Sequence, residues 1–162
     1  MPRPVYTPPG GPPRVERPNP AIYARMGEEN IFRMLEDFYV ELAHSSIAGM
    51  FPRGEEAMRR TSRKSAAFFV TLLGGPPLYQ QQYGPPMMRG RHLPFPIDEA
   101  ARQEWLACFR RVLDNAPEAY QFPPEYLDGF WTFLIGFSGW MVNTAPPGAD
   151  WEPGNELHLF GG

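Results

Sequence analysis

The chain is poor in the residues from which most catalytic and metal centres are built. It has one cysteine, Cys108, and three histidines, His44, His92 and His158. A lone cysteine forms no internal disulfide and suits a reducing compartment, so a cytoplasmic protein is expected. Three scattered histidines and one cysteine match none of the spacings that hold zinc. Positive charge is not in excess either: 15 Lys and Arg stand against 18 Asp and Glu, which excludes a broad basic surface for nucleic acid. No segment approaches the roughly 20 apolar residues that cross a bilayer, and the N-terminus lacks the apolar stretch of a signal peptide. The stretch Gly74-Gly75-Pro76-Pro77 follows a helical pattern and lacks a lysine, so it is no phosphate loop. Ser45, Ser46, Ser62, Ser65 and Ser138 have no nucleophile-elbow context.

Proline and aromatic residues, by contrast, are abundant. Eight of the 21 prolines fall in the first 20 residues, which predicts an N-terminal arm without hydrogen-bonded structure, flexible or polyproline-like. Pro and Gly return from Ala145 to Gly162 as a tail. The folded body is therefore expected from about Ala21 to Thr144, a single domain. Aromatics make up 14% of the chain, enough to line a pocket for a large flat ligand as well as a core.

Within the body the periodicity is helical and no alternating strand stands out, so the class is all-α. Ile31, Met34, Leu35, Phe38 and Leu42 form a stripe at three- and four-residue spacing between Glu28 and His44, with Tyr39 beside it. A second helix is expected from Glu55 and Glu56 to Leu73, stopped by Gly74-Gly75-Pro76. Pro76 to Pro96 reads as loop with at most a short helix before His92. Asp98 is placed to cap a helix reaching Asn115, with Ala101, Trp105, Cys108, Phe109 and Val112 on one face. A last helix spans about Pro124 to Val142, where Phe130, Phe133, Leu134, Phe137 and Met141 recur at helical spacing and Gly136 and Gly139 permit close packing.

The most suggestive stretch is "MMRGRHLPFPI", Met87 to Ile97. Pro94 and Pro96 each push the preceding residue out of helical geometry, so a short helix ends near His92. Carbonyls at that terminus are available to one ring nitrogen, which sets the tautomer that leaves the other for a metal. A neutral imidazole is the usual proximal ligand of haem iron, and Arg89 and Arg91 are candidates to pair with the two propionates. The plainer alternative is a stiff connector carrying a structural histidine. Thr61 and Ser65 sit on the face that also carries Phe68, Phe69 and Leu72; they either bond back to carbonyls one turn earlier or border a polar pocket. Tyr39 and Trp105 are either core residues or donors facing one cavity, where they would suit an oxygen molecule gaining negative charge on ferrous iron.

From about Gly27 to Thr144 the chain resembles the group II truncated haemoglobins, compact globins of bacteria and plants. The resemblance is most specific in "GGPPLYQQQYGPPMMRGRHLPFPIDEAARQEWLACF", with weaker support from "DFYVEL" and "MFP". It implies a two-over-two helical sandwich around one haem b, iron protoporphyrin IX. His92 would be the proximal ligand, Tyr39 and Trp105 the distal donors, and Thr61 and Ser65 further distal positions. Phe51, Phe68, Phe69, Tyr79, Met88 and Arg91 would contact the haem. The implied partners are O2, CO, NO, cyanide and similar small ligands, held in a monomer or homodimer with slow O2 release. Nitric oxide dioxygenation or peroxidase-like turnover would need an external reductase. Two alternatives accompany this reading: a haem-based gas sensor, and a haem-free helical interaction module whose proline-rich arm recruits a partner.

Overall fold

A computed structural model describes residues 3–146. The expected C-terminal tail lies outside the described residues from position 147 on, and His158 with it. Among the described residues every regular element is helical: α1 (Ala21–Met26), α2 (Glu28–Ala43), α3 (Glu55–Leu72), α4 (Leu78–Tyr83), α5 (Met88–His92), α6 (Glu99–Leu113), α7 (Ala116–Tyr120) and α8 (Leu127–Met141). Short 3-10 turns at Ala48–Met50 and Pro124–Tyr126 join them. None of the described helices is long and apolar enough to cross a membrane.

Local chemistry sets the boundaries. Asp98 caps α6, its carboxylate accepting from the Ala101 N–H at 2.8 Å. At the end of α3, Gly74 takes φ +107°, the Gly75 N–H reaches back to Val70 O at 2.8 Å and the Gly74 N–H to Thr71 O at 3.2 Å. This is a Schellman stop, and only a residue without Cβ fits it here, because a Cβ on Gly74 would lie 2.0 Å from the Pro20 carbonyl oxygen. The short helices α1, α4 and α7 lack a full amphipathic period, which is why periodicity alone did not predict them; Pro76 to Pro96, expected to hold at most one short helix, holds both α4 and α5.

α2 packs on α3 and α6, and α6 packs on α8, giving the two-over-two sandwich. Each of the four long helices sends one phenylalanine to the centre. Phe38, Phe69, Phe109 and Phe130 are all at most 2% exposed, with Phe109 in the middle at ring distances of 4.1, 5.6 and 5.7 Å from the other three. This dry floor leaves the adjoining space between α3, α5, α6 and α8 open.

The proline-rich arm corrects one expectation. It forms no regular helix, yet it is hydrogen-bonded: the Tyr6 N–H donates to Asn143 O at 2.9 Å, and Arg3 bonds Leu93 O, Phe95 O and Asn143 O. Further along, Val15 packs so close to Gly136 that a Cβ there would meet its methyl at 2.4 Å. Prolines remove backbone donors without preventing the remaining N–H groups and side chains from pairing with the body.

Candidate functional site

The open space is a cavity of about 650 Å³, within the range of roughly 300–1,000 Å³ typical of cofactor and small-molecule sites. Eleven of the twelve residues expected at a site line it: Tyr39, Phe51, Thr61, Ser65, Phe68, Phe69, Tyr79, Met88, Arg91, His92 and Trp105. They come from α2, the turn after it, α3, α4, α5 and α6, so the constellation exists only in the folded chain.

His92 is the last residue of α5, where its ring is held by the helix itself. Nδ1 lies 2.6 Å from Met88 O, and since a carbonyl only accepts, Nδ1 carries the proton. Nε2 is then the ring's acceptor nitrogen. Burial lowers the His92 pKa, the Met88 carbonyl works against that by holding the proton, and the positive charge of Lys64 pushes it down again. The result is a neutral imidazole with one free lone pair, the donor a metal requires.

Tyr39 and Trp105 belong to one aromatic network. Phe38 meets both edge-on, at ring distances of 5.5 and 5.4 Å, and Phe51 meets Tyr39 at 5.8 Å. Burial raises the Tyr39 pKa, so the phenol keeps its proton; the Ser65 hydroxyl acts in the opposite sense, as a donor to the phenol oxygen does. The two hydroxyls that sequence left open therefore behave differently. Thr61 bonds back to Ala57 O at 3.0 Å, one turn earlier on α3, whereas Ser65 interacts with Tyr39 across to α2.

The two arginines beside His92 also part ways. Arg91 lines the cavity, stacked at 5.2 Å over Tyr79, while its Nε and Nη2 hold the carbonyls of Pro86, Tyr83 and Pro85 at 2.7, 2.7 and 2.8 Å. Arg89 does not face the cavity, which corrects its expected pairing with a propionate. Fully buried, it donates to Trp140 O, Val142 O and Tyr6 O at 2.5, 2.9 and 2.8 Å and lies over the Trp140 ring. On a helix of five residues, two positions around the axis suffice to send it to the opposite side.

Sequence reasoning missed Lys64, Phe95, Ile97, Arg102, Phe137 and Ser138 as cavity residues. Lys64 had a legible signal, since it stands three residues after Thr61 and four before Phe68 on the same helical face. Its neighbours Arg59, Arg60 and Arg63 masked it as one more solvated charge. Arg102 is tied down by Ser138 Oγ at 3.0 Å, Ile135 O at 2.8 Å and Glu99 at 2.6 Å, closing the wall between α6 and α8.

The donor set fits a haem. Among the described residues no three His, Cys, Asp or Glu side chains gather to hold a metal, so a porphyrin would have to bring the remaining nitrogens. Flat aromatic walls, one neutral imidazole and two cations, Lys64 and Arg91, suit a planar macrocycle with acidic side chains.

Comparison with known proteins agrees. A profile of the bacterial-like globin family matches residues 21–128. Group 2 truncated hemoglobin YjbI of Bacillus subtilis is 38% identical over 96 residues, which are 59% of this chain and 70% of that protein. Two-on-two hemoglobin-3 of Arabidopsis thaliana is 44% identical over 54 residues, 33% of this chain and 31% of its own length. The structure of phosphate-bound Hell's gate globin IV superposes with a TM-score of 0.75 at 37% identity, over 81% of this chain and 79% of that one. The truncated oxygen-avid haemoglobin from Bacillus subtilis gives 0.67 at 32% identity, over 77% of this chain and 99% of that one. The chain therefore belongs to the group II truncated haemoglobins, a family whose cofactor is haem and whose ligands are small diatomic gases.

Proposed function

We propose that this chain binds haem b through His92 and holds O2 tightly, releasing it slowly. The observation that carries this reading is the His92 geometry: the 2.6 Å bond from Nδ1 to Met88 O leaves Nε2 as the acceptor nitrogen in a cavity that Tyr39, Ser65 and Trp105 also line. When bound, haem supplies an iron with a coordination position for O2, CO, NO or cyanide.

The chain's own residues do the rest. The Met88 carbonyl fixes the tautomer and orientation of His92. Phe51, Phe68, Phe69, Tyr79 and Met88 exclude water from the porphyrin faces, and Lys64 and Arg91 neutralise the propionates. Tyr39 and Trp105 donate hydrogen bonds to a ligand that carries negative charge, and Ser65 orients the Tyr39 phenol. The relative described as oxygen-avid shares this fold, which supports the same direction of affinity here. A tightly held oxygen is poorly suited to bulk delivery. Nitric oxide oxidation or peroxide turnover with an external reductase is the redox chemistry such a site favours.

The first experiment is the visible spectrum of the purified protein with one equivalent of haemin, in ferric, dithionite-reduced and carbon-monoxide forms. A stoichiometric histidine-ligated Soret band in the wild type, lost or shifted in His92→Ala, is the expected outcome. Unspecific haem uptake that His92→Ala leaves unchanged would overturn the reading. Reaction of the reduced oxygenated protein with nitric oxide no faster than that of free haem would remove the redox proposal alone.

A further inference from the structure

The family profile matches residues 21–128, and residues outside both ends of that span bond the loop that follows His92. Asn143, just past α8, is fully buried and lies at a junction of three segments. Its side-chain Nδ2 donates to His92 O at 3.2 Å and Phe95 O at 2.9 Å, and its Oδ1 accepts from the Ile97 N–H at 2.9 Å. Its own N–H donates to Ile97 O at 2.9 Å. The loop that follows His92 is thus stitched to the end of α8 chiefly by one residue, with the Thr144 N–H adding a bond to Ile97 O at 3.1 Å.

The N-terminal arm closes over this stitch. Tyr6 N–H takes the Asn143 carbonyl at 2.9 Å, and Arg3 adds Nη1 to the same carbonyl at 3.2 Å. Nη2 of Arg3 donates to Leu93 O at 2.7 Å and Phe95 O at 2.8 Å. From the opposite side Arg89, three residues before His92 on α5, grips Tyr6 O at 2.8 Å. Every one of these bonds runs from a charged or amide donor to a carbonyl, the geometry in which a planar guanidinium holds irregular chain best.

We propose that residues 3–6 form a strap that positions the proximal histidine, with Arg3, Arg89 and Asn143 as positioning residues acting through the backbone of His92–Ile97. The inference rests on His92 being the haem ligand. Beyond the Met88 carbonyl that holds its ring, His92 has few anchors along the chain, because α5 is a single turn and Pro94 and Pro96 supply no N–H donors to the loop behind it. The strap supplies that anchoring from two distant segments, and so sets how firmly the imidazole meets the metal.

Full-length Arg3→Met, with the exposed arm residue Arg14→Met as control, tests it by three readouts. In haem-free protein, amide hydrogen exchange of the Ile97 N–H should accelerate in Arg3→Met and not in the control. In the reduced haem-loaded protein the iron–histidine stretching band should shift or broaden in resonance Raman. Haem transfer to an excess of apomyoglobin should speed up by about three- to tenfold, the effect of losing roughly one net hydrogen bond's worth of anchoring. Wild-type-like exchange, band and haem loss in Arg3→Met overturn the strap. A lowered melting temperature with unchanged band and haem loss overturns it as well, reducing the arm to a stabilising clamp. Failure of the wild type to take up haem is a different result, and counts against the haem reading itself.

Discussion

Replacing Tyr39 by Phe isolates a single atom on the wall of the cavity, the one proposed to donate to bound O2. The ring contacts with Phe38 and Phe51, at 5.5 and 5.8 Å, are edge-on and survive the change, so packing is conserved and only the hydroxyl is removed. A hydrogen bond to a charged acceptor contributes roughly 1.5–3 kcal/mol, and each 1.4 kcal/mol is about tenfold, so O2 dissociation should accelerate by ~10- to 140-fold. Dissociation of CO, which gathers far less charge, should change little. Burial holds the Tyr39 pKa above its ordinary value of 10.0, so the phenol remains the donor and the wild-type O2 rate should be flat from neutral pH to about pH 9. Stopped-flow displacement of O2 by excess CO measures both. Unchanged O2 rates in Tyr39→Phe and in Trp105→Phe would refute the reasoning, showing that neither group donates to the ligand. Ser65→Ala should give a smaller acceleration, because it removes only the hydroxyl that bonds the phenol and leaves the phenol itself.

Gly74→Ala should destabilise the fold by about 1–3 kcal/mol from backbone strain alone, with a further cost from displacing the Pro20 carbonyl that a Cβ would meet at 2.0 Å. Urea unfolding measures it, and an unchanged midpoint would show that the chain yields there freely. Tyr120, buried and bonded to the Asp37 carboxylate, has its pKa raised first by burial and then by that bond. The unfolded tyrosine ionises near pH 10 while the folded one stays protonated, so this contribution to stability is intact below pH 10 and falls as pH rises above it. Urea midpoints recorded from pH 7 to 11 should show that decline, shallower in Tyr120→Phe; parallel curves would remove Tyr120 as its source.

Much of the architecture was legible because long helices advertise themselves. The stripes of α2 and α8 and the Asp98 cap each rest on contacts within a few residues, and the structure places those elements within one to three residues of expectation. The setting of His92 was legible for a similar reason: two prolines forced a helix end, and the helix end supplied the carbonyl that holds Nδ1. Arg89 was misread because adjacency in sequence says nothing about direction on a helix of one turn, where small rotations change the neighbour. The arm was misread because proline content speaks to regular secondary structure, whereas its attachment depends on carbonyls near residues 93–95 and 143 that no local pattern announces. Phe137 and Ser138 went unassigned since α8 is apolar around most of its circumference, and its cavity-facing side is defined by what packs on the other faces.

The junction at Asn143 bears on the order of assembly. Arg3 and Asn143 are 140 positions apart, among the longest separations in the molecule, and closing so large a loop carries an entropic cost that is met only when the intervening helices have already condensed. The four-phenylalanine floor and the Tyr39 side of the cavity join segments of shorter separation, at most the 92 positions between Phe38 and Phe130. By that cost the Tyr39 side of the cavity is expected to close before the loop after His92 is secured, so that on the haem reading firm capture of the cofactor would wait for the two ends of the folded body to come together.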